Sequence, residues 1–352
     1  MDPRETRPVL AITAGDPAGI GPEITLAALG EPEVYRRCRP LVLAEPAVLE
    51  RVKPLVAKDL RLKVVAGPAE ARFKPGTVEV LPAHPVDTSD LERHVPFGRV
   101  SRLAGELAFA SIRRSIDLAL AGEVDGVVTG PIHKEAIKAA GVPFIGHTEM
   151  FQELTGSRTS LTMFRTGRLK IFFLTRHVSL RVACEMIRRD LLLETLREVR
   201  RNLEVLGVRD PEIGVAALNP HAGEGGLLGE EERQEMVPAI AAAQAEGIRA
   251  VGPVPADSIF VFAARGAYDA VLSLYHDQGH IASKVLDFER TISVTLGLPF
   301  VRSSVDHGTA FDIAGKGQAQ HRSMVEAILA AAEYAPRIRA ANAPAADRAG
   351  GA

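Results

Sequence analysis

Short apolar runs separated by turn residues dominate the hydrophobic pattern of the chain. Runs rich in β-branched and aromatic residues predict buried strands over residues 9–13, 126–129, 170–175, 213–218, 270–274 and 292–296. Helical spacing and starting signals predict helices over residues 22–29, 101–121, 189–206 and 230–244. This alternation predicts an α/β fold with a largely parallel sheet, in which ligands lie beyond the carboxyl ends of the strands.

The predicted strand exits are rich in Gly, Pro, His and Asp, most clearly at residues 14–22, 129–134 and 219–226. The first of these loops carries Gly15, Gly19 and Gly21, which is not the G-x-G-x-x-G spacing of the common dinucleotide fingerprint. The start of a helix near Ile20 offers amides that would attract an anion, and a tight structural turn explains the same residues equally well.

Composition narrows the classes of partner. Lys and Arg number 42 against 44 Asp and Glu, so there is no basic surplus for nucleic acid or an anionic membrane surface. No apolar run approaches the ~20 residues that span a bilayer. Two cysteines, Cys38 and Cys184, are too few for a disulfide framework, and residues 1–7 do not resemble a secretory signal. We therefore expect a cytoplasmic protein whose partner is a small molecule.

Three histidines follow predicted strands directly, namely His177, His221 and His276. Three imidazoles converging from strand ends would form an open site for a borderline metal such as Zn²⁺. The intervals of 44 and 55 residues carry no local metal signature. Taken singly, each histidine is better explained as a hydrogen-bonded loop or core residue.

Several motifs, in order along the chain, together resemble one family. They are residues 14–23, 128–134, 146–149, 218–224, 255–258, 275–279 and 295–314. Over residues 7–335 they are similar to the 4-hydroxythreonine-4-phosphate dehydrogenases. The resemblance implies NAD-dependent or NADP-dependent oxidation of a β-hydroxy acid followed by decarboxylation, at a divalent metal (Zn, Co or Mg) held by three histidines in a homodimer.

The resemblance also implies site residues. His177, His221 and His276 match the metal positions, with His276 supplied by the neighbouring subunit, so that the metal site is shared across the interface. His147, Thr148, Lys284 and Arg302 match substrate-binding positions. Ser293 stands where the family has asparagine, and its shorter side chain lacks the amide donors.

The candidates for proton transfer in this mechanism are Lys284, His147 and Asp257. The residues alone favour plainer roles for two of them. Lys284 would then be a solvated surface charge, and Asp257 a helix N-cap after Pro255.

Residues 307–317 resemble the adenosine-binding loop of isopropylmalate and isocitrate dehydrogenases. This implies cofactor contacts from His307 and Asp312, although Gly308 and Gly315 would serve equally as turn caps. It also implies the two-domain fold of those enzymes, with parallel and mixed sheets around an interdomain cleft. We expect a first α/β domain from residues 1–130 and 300–352, disordered from about residue 340, and a second from residues 131–299.

The resemblance leaves the substrate open. The expected one is 4-phosphohydroxy-L-threonine, oxidised to 3-amino-2-oxopropyl phosphate in pyridoxal phosphate biosynthesis. Alternatives within the family are an aromatic-acid cis-dihydrodiol, such as that of terephthalate, and 4-phosphorylated threonate or erythronate. Outside it, a metal-dependent aldolase or hydrolase would use the same histidines and cations. A non-catalytic metabolite-binding protein would not need the three histidines together with Lys284 and Arg302.

Overall fold

A computed structural model describes residues 7–83 and 90–343. In chain order the elements up to residue 160 are β1 (Val9–Thr13), α1 (Gly21–Leu29), α2 (Pro32–Arg37), β2 (Arg39–Leu43), α3 (Pro46–Val56), β3 (Arg61–Val64), β4 (Thr77–Leu81), α4 (Leu91–His94), α5 (Arg102–Leu120), β5 (Gly126–Thr129), α6 (Lys134–Ala139) and α7 (His147–Thr155).

Beyond residue 160 come β6 (Leu161–Thr166), β7 (Leu169–Phe173), α8 (Leu180–Glu185), α9 (Arg189–Val205), β8 (Glu212–Ala216), α10 (Val237–Ala245), β9 (Arg249–Val254), α11 (Ala256–Ala264), β10 (Ala270–Ser273), α12 (His276–Leu286), β11 (Ile292–Leu296), β12 (Val301–Val305) and α13 (Arg322–Asn342).

The contacts divide the chain into two compact units. The first comprises Met1–Ser160 and Gly297–Ala352, and the second comprises Leu161–Leu296. The first boundary predicted near residue 130 falls inside the first unit, because α6 and α7 pack on α5 of that unit. The second boundary predicted near residue 300 lies close to Gly297.

In the first unit, parallel strands follow the order β3-β4-β2-β1-β5-β12. The strand β1 is buried along its whole length, as expected for a central strand covered on both faces. One face is covered by α5, whose buried side chains lie every three or four residues and which begins at Ser101, an N-cap that accepts from Ala104 N. The helix α13 covers β12 and β5.

In the second unit, the strand order is β11-β6-β7-β10-β8-β9. From β7 to β9 the neighbouring strands are parallel, whereas β6 pairs antiparallel with both β7 and β11. The apolar core includes Phe164, Phe173, Ile259 and Val271. The mostly parallel strands of the two units confirm the predicted α/β class.

The predicted elements recur with small shifts, except at two places. The helix predicted over residues 230–244 is split into a π-helical turn, Glu232–Met236, and α10. Of the antiparallel pair β6 and β7, only β7 was predicted from the sequence. The connection between the two strands contains Gly167 with φ of 59°, a left-handed conformation that costs glycine little.

The C-terminal tail was predicted to be disordered from about residue 340, but α13 continues to Asn342. From residue 344 onward it lies outside the described residues. Both cysteines are free thiols. Within residues 7–83 and 90–343, no helix is both long and apolar enough to cross a bilayer.

We expect Gly105→Ala to lower the free energy of unfolding. Gly105 lies where α5 crosses α6, and an added Cβ would overlap the Ala136 carbonyl oxygen. The backbone must shift to relieve this overlap, at a cost of about 2 kcal/mol. Urea unfolding measures the loss. Gly67→Ala is the control, since an added Cβ there meets no atom within 4 Å; equal stability of the two variants would contradict this account of the crossing.

Candidate functional site

Three adjacent parallel strands of the second unit each lead into one of the predicted metal-binding histidines. The strand β10 lies between β7 and β8 and is parallel to both. The segments after their carboxyl ends carry His177 after β7, His276 after β10 and His221 after β8. Parallel pairing therefore brings the three segments to one edge of the sheet, where α/β proteins bind their ligands.

Two of these histidines stand side by side. The ring centroids of His177 and His276 are 5.9 Å apart. His276 is the first residue of α12, and its Nδ1 lies 2.6 Å from Asp277 Oδ1. A carboxylate in this position favours the proton on Nδ1, which leaves Nε2 as the donor atom for a ligand. Both rings line a cavity of about 310 Å³ with Arg176 and Tyr275.

His221 projects from an unusual loop. Residues 221–225 all have positive φ, with His221 at 51°, which is uncommon for residues other than glycine. The buried Glu232 carboxylate holds the base of this loop by accepting from Leu218 N at 2.9 Å and Asn219 N at 2.6 Å. The His221 side chain is exposed, and its Nδ1 lies 3.1 Å from Glu224 Oε2.

The described part of a single chain does not gather a complete metal site. Within it, no three His, Cys, Asp or Glu side chains stand together in a metal-binding arrangement. The donor chemistry nevertheless fits a borderline divalent ion, because two imidazoles are adjacent and a carboxylate orients one of them. One chain thus brings His177 and His276 together without His221, whereas the resemblance implied that His276 comes from the neighbouring subunit.

The helix α12 contributes one histidine that the sequence reasoning missed. His280 is buried and stacks on His276 with ring centroids 4.0 Å apart, and it also stacks on Phe173. Burial, with a smaller effect of His276, lowers the pKa of His280 to about 4, so this ring is neutral at neutral pH. Its spacing of four residues from His276 on a helix was the available signal.

The other predicted site residues of the second unit do not line the cavity at His177 and His276. Lys284 lies in the last turn of α12, with Nζ 5.7 Å from the Phe288 ring centroid. Ser293 is buried on β11 opposite Phe164, and its hydroxyl makes no hydrogen bond to the described residues. Asp257 is exposed in the first turn of α11, where Pro255 occupies the cap position.

In the first unit, a buried guanidinium stands beside a neutral histidine. Arg302 on β12 donates from Nη2 to Thr129 Oγ1 at 2.7 Å, and its guanidinium carbon lies 5.5 Å from the Phe151 ring centroid. Burial lowers the pKa of Arg302 to about 9, which leaves it charged at neutral pH. Burial and then the Arg302 charge lower the pKa of His147 well below its ordinary value.

His147 and Thr148 open α7, with Gly146 as the N-cap. The His147 side chain is partly exposed, but its Nε2 is buried and has no hydrogen-bond partner among the described residues. A buried polar atom without a partner is costly, so this nitrogen is well suited to a ligand atom. The structure therefore brings the predicted residues Arg302 and His147 together within the first unit.

A second polar pair of this unit was not predicted. Asp16 follows β1 and is buried, and its Oδ1 accepts from Ala18 N at 2.8 Å. Burial raises the pKa of Asp16 to about 6, against a partial lowering by the Ala18 amide and by His133. The His133 ring stacks on Phe311 with centroids 4.5 Å apart. The sequence shows these residues within its motifs, but not that the fold buries the carboxylate.

The predicted cofactor loop is anchored to the first helix. The buried Glu23 carboxylate accepts from Gly315 N at 2.6 Å and Gly317 N at 2.9 Å. Ile20 N donates to Thr309 O at 3.0 Å. A carboxylate in the first turn of α1 and an occupied Ile20 amide favour the structural turn over the anion site.

Of the two residues predicted to contact the cofactor, His307 is held by both ring nitrogens. Its Nδ1 donates to Gly308 O and its Nε2 accepts from Ser323 Oγ, each at 3.0 Å. Only the ring faces of His307 therefore remain for packing. Asp312 is exposed, and its carbonyl oxygen accepts from Lys316 Nζ.

Comparison with known proteins identifies the relatives of this chain. The family model described as pyridoxal phosphate biosynthetic protein PdxA matches residues 36–331. The chain belongs to this family. It is 56% identical, over 95% of its length and 99% of the relative, to a protein of Symbiobacterium thermophilum provisionally named D-threonate 4-phosphate dehydrogenase.

Solved structures of the PdxA family agree with the fold. The 4-hydroxythreonine-4-phosphate dehydrogenase of Klebsiella pneumoniae matches with a TM-score of 0.84 and 39% identity, covering 94% of this chain and 98% of that one. A terephthalate 1,2-cis-dihydrodiol dehydrogenase of Burkholderia xenovorans matches with a TM-score of 0.60 and 26% identity, covering 93% and 98%. These PdxA-family relatives are dehydrogenases, so the chain is an oxidoreductase acting on a CH–OH group, as predicted.

We expect Asp16→Asn to gain stability relative to the natural chain as pH rises. With a pKa of about 6 in the fold against an ordinary 3.8, the Asp16 carboxyl binds its proton more tightly when folded. The stability that this carboxyl contributes therefore decreases as pH rises from about 3.8 to about 6, and it stays constant at higher pH. The linkage predicts a relative gain of about 1.4 kcal/mol for the variant between pH 5 and pH 7.5.

Urea unfolding of both proteins at the two pH values measures this difference. Asp257→Asn, which removes an exposed carboxylate, is the control and should follow the natural chain. A constant offset between Asp16→Asn and the natural chain would show that Asp16 does not titrate in this range.

Proposed function

We propose that the protein oxidises and decarboxylates D-threonate 4-phosphate with NAD or NADP as the hydride acceptor. The observation that carries this choice is the 56% identity to the relative of that name, over 95% of the chain. Hydride would leave C3 of the substrate together with the hydroxyl proton. The resulting 3-oxo acid would lose its carboxylate as carbon dioxide, and the three-carbon product would be a hydroxyketone phosphate.

The second candidate substrate is 4-phosphohydroxy-L-threonine, supported by the fold and 39% identity shared with the Klebsiella enzyme. The two substrates carry the same oxidised centre and the same phosphate. They differ at C2, which bears a neutral hydroxyl in one and an ammonium in the other. Ser293, with a short and unpaired hydroxyl, replaces the asparagine of the family. This replacement supports a substrate with a different substituent at C2 from the ammonium of 4-phosphohydroxy-L-threonine.

Arg302 and His147 are the residues we assign to the substrate's anionic group in the first unit. Arg302 stays charged despite burial, and a guanidinium binds carboxylate or phosphate oxygens in a bidentate manner. Neutral His147 presents a buried Nε2 without a partner, which can donate or accept a proton as the group beside it changes charge. Thr148 opens the same helix, where amides favour anions. The exposed Asp257 takes no part.

In the second unit, His177 and His276 would hold the divalent metal and Lys284 would contact the substrate. When bound, such an ion stabilises negative charge that develops on a substrate oxygen. Lys284 offers a mobile ammonium as a point charge or proton donor. For the cofactor, the loop anchored by Glu23 supports an adenosine site near His307 and Asp312.

We also propose a homodimer in which a second copy completes the metal site. A single chain brings two of the three histidines together, and no described group of three exists within it. The helix that carries His276 exposes Ile281 and Val285, the latter 82% exposed, and Phe288 follows it at 62%. An apolar surface of this kind on the helix that bears a ligand is suited to cover by another copy.

The substrate assignment predicts a ranking of kcat/KM. With metal and NAD supplied, D-threonate 4-phosphate should be used at least about tenfold more efficiently than 4-phosphohydroxy-L-threonine, since an ammonium without a carboxylate partner is poorly accommodated. Reduced-cofactor absorbance measures both rates, with the terephthalate cis-dihydrodiol as a third substrate. The reverse ranking would transfer the proposal to the second candidate. Absence of reduced cofactor with all three would overturn the proposal.

Subunit complementation tests the shared metal site. His221→Ala and His276→Ala should each abolish activity and metal content as homodimers. Mixed after partial unfolding and refolding, they should regain about a quarter of wild-type activity, because half of the dimers are hybrids and each hybrid holds one intact site.

His94→Ala, which removes an exposed histidine of α4, is the matched control and should keep full activity and metal. If both homodimers are inactive and the mixture stays inactive although hybrids are detected by mass spectrometry, His221 and His276 act within one chain. An active, metal-replete His221→Ala homodimer would remove His221 from the metal site.

A further inference from the structure

The first unit contains a basic cavity whose lining includes none of the residues proposed above for substrate, metal or cofactor. Its volume is about 970 Å³, within the range of small-molecule sites. Its lining is formed by α2, Arg7 before β1, the first residue of β2, and the loop between β3 and β4. The charged lining residues are all cations, namely Arg7, Arg36, Arg39, Arg72 and Lys74. The rest of the lining consists of Tyr35, Phe73, prolines and alanines.

Four of the five cations of the basic cavity form no ion pair with a carboxylate of the described residues. In the described part of the chain, Arg36, Arg39, Arg72 and Lys74 form no ion pair with Asp or Glu. Elsewhere in the same unit, surface cations do pair with carboxylates, as in Lys53 with Glu50 at 2.9 Å and Arg102 with Glu106 at 2.8 Å. The chain as a whole has a net charge of −2, so a concave cluster of cations is a local feature with its own electrostatic cost.

The walls of the basic cavity are held in place by internal hydrogen bonds. Tyr35 donates from its hydroxyl to Thr77 O at 3.1 Å, which ties α2 to the start of β4. Arg39 Nε donates to Arg7 O at 2.8 Å, which ties the start of β2 to the segment before β1. The Arg39 guanidinium carbon lies 5.8 Å from the Phe73 ring centroid. The cavity is therefore built before any ligand arrives.

One residue of the same wall has a strained backbone. Phe73 has φ of 51°, in the left-handed region that a bulky side chain rarely adopts. The buried Glu79 carboxylate holds this conformation by accepting from Arg72 N at 3.0 Å and Phe73 N at 3.3 Å. Strain that the surrounding structure maintains is typical of ligand-binding segments. Arg72 and Lys74 precede and follow the buried Phe73 in the chain, and all three line the cavity.

We propose that the basic cavity binds an organic phosphate with a flat or apolar body, at a site separate from the dehydrogenase residues. Arginines bind phosphate oxygens in a bidentate manner, and several of them together suit a group with two or more negative charges. The proline, alanine and aromatic part of the lining suits the uncharged portion of the same ligand.

Isothermal titration calorimetry with ATP, without magnesium and at saturating NAD, tests the site. ATP provides phosphates and a flat ring, whereas adenosine provides the ring alone. Wild-type protein should bind ATP at least about tenfold more tightly than adenosine, and Arg36→Ala/Arg72→Ala should weaken ATP binding by about tenfold or more. Both arginines are exposed, so the double variant should fold. Its kcat and its KM for NAD should equal those of the wild type.

Arg113→Ala/Arg114→Ala is the matched control, since it removes two exposed arginines of α5 that do not line the cavity. It should bind ATP as the wild type does. The proposal is overturned by any of three results: no ATP binding to the wild type, adenosine binding as tight as ATP, or the same ATP affinity in both double variants.

Discussion

Parallel pairing between strands decides where the reactive side chains of this protein can stand. In the second unit, β10 lies between β7 and β8 and runs in the same direction as both, so the segments that follow them leave the sheet at one edge. Each of those segments carries a histidine. In the first unit, β1 and β5 are parallel neighbours, and Asp16 and His133 follow them. An antiparallel arrangement would have sent alternate loops to opposite edges.

Much of this arrangement was accessible from the sequence, because buried parallel strands are continuous apolar runs with abrupt polar ends. The strands β1, β5 and β11 were predicted with their observed bounds. The hairpin of β6 and β7 was only half predicted, since Thr162, Arg165 and Thr166 interrupt the apolar residues of Leu161–Thr166. The burial of Asp16 could not be predicted, because it depends on which surfaces the chain folds together.

The family resemblance supplied the roles of individual residues, and the structure separates them by environment. Arg302 and His147 share one buried region, where the fold keeps one side chain charged and the other neutral. His177 and His276 share another, with Asp277 beside them. The spacing along the chain predicted neither of these two pairs, since Arg302 is more than 150 residues from His147.

The loop that carries His221 has one further consequence. Six successive residues, 221–226, have positive φ, and Glu232 fixes the base of this loop through backbone amides of its own chain. The ordering entropy of the loop is therefore accounted for when the monomer folds. In the proposed dimer, His221 would therefore reach the metal site of the second copy already preorganised.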